Sequence, residues 1–164
     1  MIGTVFRKPV DDWDAYAQAA EWCNVHGACI VEYEDYYKVV SAPEKTFEEL
    51  RTDKLSELEN AFNVRTKGSI KTSQGYLMQF DTIDSLKMQG AITLMEAVGA
   101  TVGYITQADD KTIYDISIDT MKAVLIEMLN AYAQCHARKQ ALRELINNAQ
   151  TKEELAEITI SWPV

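Results

Sequence analysis

The chain has 164 residues, 47% of them apolar and 25% charged, with three prolines and seven glycines. That is enough for one sizeable core and excludes a fibrous or disordered chain. A net charge of −9 repels phosphate backbones, so no nucleic-acid partner is expected, although the same acidity also serves plain solubility.

Three cysteines form no dense framework, which points to a reduced compartment. The opening Met1 to Pro9 lacks the long apolar core of a signal peptide. No run reaches the ~18 apolar residues of a membrane span. The expectation is a soluble product made in a cytoplasm, with no membrane partner.

Residues 1 to 7 alternate as a short strand does, and Pro9 stops it. Asp11 and Asp12 sit where a helix N-terminus favours acids, ahead of a helix over Trp13 to Val25 that ends at Gly27. Cys29 to Tyr33 and Tyr36 to Val40 read as a hairpin joined across Glu34-Asp35. The first 42 residues therefore form a small βαββ module, marginal alone.

Ser41 to Lys45 is a linker-like stretch. Thr46 and Glu49 are spaced as a capping box for a helix carrying Phe47, Leu50, Leu58 and Phe62 on one stripe. Ser69 to Phe80 reads as a second hairpin turning at Ser73-Gln74-Gly75. Asp81 or Thr82 caps a helix from Ile83 to Val98, closed by Gly99. Val102 to Thr106 and Thr112 to Asp115 make a third hairpin across Ala108-Asp109-Asp110.

Ser117 to Ala149 carries the strongest pattern. Ile118, Met121, Leu125, Met128, Tyr132, Cys135, Leu142 and Ile146 recur at steps of three and four, interrupted at Lys139. This is a heptad seam on a helix about 50 Å long. Its soft, irregular residues suit an intrachain partner, with self-pairing left open further along. Thr151 and Glu154 are spaced as a second capping box, and Ile158 to Trp162 suits a terminal strand. The fold class is α+β: a βαββ module over 1–42, then a helical domain with hairpins over 43–164.

No catalytic motif stands out. Cys23, His26 and Cys29 lack the fourth ligand a structural metal site needs, and no base is placed beside them for thiol chemistry. Asp81 with Asp84, and Asp109 with Asp110, are explained by a helix start and a turn. No cofactor or metal is implied. Trp13, Tyr33, Tyr36 and Tyr37 are more informative. Consecutive tyrosines in a strand point to opposite faces, and aromatics are favoured at interfaces. With Tyr132 and Lys139 of the long helix, they are the candidate interface residues.

The stretch from Phe47 to Leu58, Thr72-Ser73-Gln74-Gly75 with Phe80-Asp81-Thr82-Ile83-Asp84, Tyr132 with Ala141-Leu142-Arg143, and Ala149 to Ile158 form a spaced pattern. It resembles a C-terminal domain of unknown function common in phage and prophage tail-region proteins. Ala20 to Asn24, Gly27 and Tyr36 to Val40 resemble the short unit found ahead of it in phages of gut bacteria. The resemblance implies a non-enzymatic role in the virion tail (fibre, tip or baseplate attachment), with other tail proteins as partners and a homo-oligomer as one form. The alternative is a soluble acidic binder of a host protein. An enzyme of unrecognised type would need a closed pocket with perturbed carboxylates or thiols.

Overall fold

The computed structural model describes residues 1–162 and divides into two compact units, Met1–Thr46 and a second from Phe47 onward. In the first, strand β1 (Val5–Arg7) is followed by helix α1 (Trp13–His26) and the hairpin β2 (Ala28–Glu32) and β3 (Tyr36–Ser41). The antiparallel sheet has the order β1-β3-β2. Asp12 caps α1 by accepting from the Ala15 N–H at 2.9 Å, and Gly27 ends it at φ 60°, a left-handed conformation that suits glycine. Ala19 and Cys23 of α1 close a small core against Val39.

The second unit is built around α4 (Ile118–Asn148), about 46 Å long at 1.5 Å per residue. Ahead of it come α2 (Phe47–Thr66), the hairpin β4 (Ser69–Lys71) and β5 (Leu77–Gln79), α3 (Thr82–Ala97), and the hairpin β6 (Val102–Thr106) and β7 (Thr112–Ser117). Helix α5 (Lys152–Glu157) follows. Asp81, Ser117 and Thr151 each cap the next helix by accepting from the N–H three residues on.

The seam of α4 is covered within its own unit. Met121, Val124, Leu125 and Met128 join Met88 and Ile92 of α3, Ile105, Phe80 and Phe62 in the main core. Leu142 and Ile146 meet Leu58 of α2 and Leu155 of α5 in a second cluster. Seven of the eight seam residues are buried and Tyr132 is half-buried. The seam is thus chiefly an intrachain feature as far as Ile146.

Two details depart from the sequence-based expectation. Ile158 to Trp162 is not a strand. Ile158, Ile160 and Trp162 instead pack on the second cluster, and the Arg138 guanidinium donates to the Ser161 carbonyl at 3.3 Å. At α5, the Glu154 carboxylate accepts from the Gln150 N–H at 2.6 Å, one residue ahead of Thr151, the donor a capping box would use.

Candidate interaction surfaces

In the first unit the strand register decides where each aromatic points. Phe6 pairs with Tyr37 and Ile30 with Val39, and this face is covered by α1. Tyr37 therefore sits beneath the helix, edge-on to Tyr16 at 5.4 Å. Tyr16 is also edge-on to Phe6 at 5.3 Å and to Trp13 at 5.5 Å. Tyr36 takes the opposite face and stacks on Tyr33 at 4.7 Å. Trp13, at the start of α1, is 64% exposed, and Tyr33 is exposed at the hairpin end. Lys8 fastens this end: its ammonium donates to Glu32 at 2.6 Å and to the Tyr33 carbonyl at 2.7 Å, and lies 4.9 Å from the Tyr37 ring centroid. The hydrogen bond to Glu32 raises the Lys8 pKa and, reciprocally, lowers that of Glu32.

In the second unit α3 is apolar on two sides. Ser85, Met88 and Ile92 face the core. Half a turn away, Ile83, Leu86, Gly90, Leu94 and Ala97 form a second stripe at steps of three and four, all on exposed positions. Nothing lies within 4 Å of where a Gly90 Cβ would stand, so this side of the helix is open. One flank of α3 borders α4 in a groove lined by Ser85, Leu86 and Gln89 against Leu125, Leu129 and Tyr132. Ser85 is buried there, and its hydroxyl has no hydrogen-bond partner among the described residues. The groove continues past Ile126 to Lys122 and Glu96, which pair at 2.5 Å. The other flank meets Tyr104 of β6 beside Lys87 and Ala91.

The six residues singled out from sequence are thus dispersed. Trp13, Tyr33, Tyr36 and Tyr37 share the first unit, with Tyr37 under α1. Tyr132 lines the α3/α4 groove and lies edge-on to Phe62 at 5.9 Å. Lys139 is buried where α2 meets α4, its ammonium 2.7 Å from Glu59. The outer stripe of α3 was not among those candidates, although its spacing was there to be found.

The remaining polar and sulfur groups have structural surroundings. Cys23 is buried under the sheet, Cys29 is half-buried, and His26 stacks on Trp22 at 4.3 Å. Asp81 and Asp84 lie at the start of α3. Asp110 holds φ 62° in the β6–β7 turn, where Asp109 accepts from the Lys111 N–H at 3.3 Å. Among the described residues no three His, Cys, Asp or Glu side chains stand together as a metal site would need. No helix among them is long and apolar enough to cross a membrane.

The architecture defines an α+β protein: a small sheet-and-helix unit, then a helical unit in which two hairpins and three helices pack on one long helix. Residues 49–160 match the Domain of unknown function (DUF4376), and the chain belongs to that family. No curated protein and no solved structure matches the chain.

Proposed function

We propose that the chain is a non-enzymatic phage tail-associated component, structural or adaptor, acting in attachment or assembly at the fibre, tip or baseplate. The observation that carries this reading is the spaced pattern Thr72-Ser73-Gln74-Gly75 with Phe80-Asp81-Thr82-Ile83-Asp84, which resembles tail-region proteins. The positions of that pattern support a scaffold role. Gly75 turns a hairpin at φ 90°, Asp81 caps α3, and Phe80 is wholly buried. Residues that fix turns and caps hold a surface in shape, and Trp13 with Tyr33 supplies exposed aromatics of the kind that dominate protein interfaces.

The test is mass spectrometry of purified particles from a phage or prophage carrying the gene. A fixed copy number per particle is expected. Abundance in the lysate with absence from particles would refute the tail role. That result would favour a second reading, motivated by the net charge of −9: an acidic inhibitor of a basic host protein. Its binding would weaken steeply with salt.

A further inference from the structure

We propose that the outer side of α3, with the flanking strip of α4, is a self-association surface that pairs two copies of this chain about a two-fold axis. The proposal stands on the α3 geometry and does not rest on the tail role. A helix apolar on two opposite sides belongs between two layers, and the unit supplies one. Ile83, Leu86 and Leu94 of α3, Ile126 and Leu129 of α4 and Tyr104 of β6 are between 47% and 66% exposed. At about 100 Å² for each large apolar side chain, the six present roughly 600 Å². That is the upper end of the ~300–600 Å² patch of an ordinary monomer. With the backbone at Gly90 and the rim of Gln89 and Thr93, it approaches the roughly 800 Å² a side of a stable dimer.

Shape and charge both favour a second copy as the occupant. The face is a ridge, α3, with a groove on each flank. The ridge of one copy fits the groove of the other, and two-fold symmetry makes the fit reciprocal. Leu86 to Leu94 spans about 12 Å and the groove from Lys122 to Tyr132 about 15 Å, so ridge and groove match in length. Gly90, at the middle of the ridge with open space around it, lets a partner helix approach closely. The charges lining the grooves are paired within the chain, Lys122 with Glu96 and Lys87 with Asp84 at 3.2 Å. Two copies of an acidic chain therefore meet here without opposing like charges.

The experiment is sedimentation velocity on the full-length protein across the micromolar range, with circular dichroism and thermal melting in parallel. Wild type is expected to dimerise with concentration. Leu86→Glu and Ile126→Glu, on exposed positions, are expected to be monomeric with unchanged helix content. Gly90→Ala gives a signature of opposite sign. It is expected to raise the melting temperature of the dilute monomer, because alanine is the better helix former, and to weaken dimerisation about tenfold or more by filling the approach. A wild type that stays monomeric throughout, as when another protein or the first unit covers α3, overturns the proposal. So does a trimer or ring, or a dimer that persists in both glutamate variants.

Discussion

The Lys139 ammonium lies 2.7 Å from a carboxylate oxygen of Glu59 and 4.2 Å from the centroid of the Phe62 ring. The one polar interruption in the apolar seam of α4 is therefore answered by α2, and it fixes how the two helices meet. Lys139 is 8% exposed, whereas about half of the Glu59 side chain is open to water and Arg143 stands 3.4 Å from it. The two partners should respond differently to removal. Glu59→Ala leaves a buried ammonium without its carboxylate and is expected to cost about 1–3 kcal/mol. Lys139→Met keeps the volume, removes the charge, and is expected to stay within about 1 kcal/mol of wild type. Urea unfolding of both variants measures the asymmetry, and equal losses would contradict it.

Gly103 lies where β6 passes against α3 and α4. A Cβ added there would stand 2.6 Å from the Met95 methyl and 3.0 Å from the Met121 sulfur. Gly103→Ala is expected to destabilise by about 1–3 kcal/mol through overpacking. The crowding comes chiefly from the end of one flexible side chain, half-buried Met95. Adding Met95→Ala should therefore recover part of the loss, so that the double variant is more stable than the two single losses would add up to. Additive losses would show that Met121, not Met95, limits the space.

The elements and their ends were legible because local chemistry wrote them. Asp12, Asp81, Ser117 and Thr151 cap the helices they precede, and Gly27 and Gly75 take the positive φ their turns need. What failed to read depended on residues far apart in the chain. Lys139 stands among the interface candidates as the polar interruption of the seam, yet its partner Glu59 is 80 positions away. The terminal segment had the alternation of a strand, but Ile158, Ile160 and Trp162 pack on the apolar cluster that α2, α4 and α5 share. On α3 both apolar stripes were visible, and no local rule says which one a protein buries.

Glu127 of α4 accepts from Ser73 in the β4–β5 turn twice, from its N–H at 2.8 Å and its hydroxyl at 2.5 Å. The Ser73 hydroxyl, then its backbone N–H, lower the Glu127 pKa below the usual carboxylate value. A carboxyl with a lowered pKa in the folded state stabilises fully above the unfolded value, about 4.3, and loses that contribution as pH falls through the folded value. The β4–β5 hairpin is therefore expected to loosen below about pH 4.3. The protection of Ser73 and its neighbours, taken against the intrinsic exchange rate at each pH, should fall there in wild type. Glu127→Gln should show lower protection already at neutral pH and no further loss from this group on acidification.

Burial pushes the Cys135 thiol pKa up, and Cys23 is buried as well, so both should resist native-state labelling. Half-buried Cys29 is expected to react first with a thiol reagent, with the other two following only on unfolding. Three equal, fast phases would mean that the cores of both units open readily.

Tyr16 and Trp13 are in contact, yet they should play separable parts. Tyr16 is the hub of the aromatic cluster, edge-on to Phe6, Trp13 and Tyr37 and half-buried between helix and sheet. Truncating it removes three ring contacts of about 0.5–1.5 kcal/mol each beyond area burial, so Tyr16→Ala is expected to cost about 2–4 kcal/mol. Trp13 makes the one ring contact and is otherwise open, so Trp13→Ala should cost about 1 kcal/mol or less. If the first unit docks through its exposed aromatics, binding follows the reverse order. Trp13→Ala should keep its fold by circular dichroism yet fall about tenfold or more in occupancy of purified particles, the scale of one lost hot-spot side chain. Full occupancy with Trp13→Ala would remove this face as the docking surface.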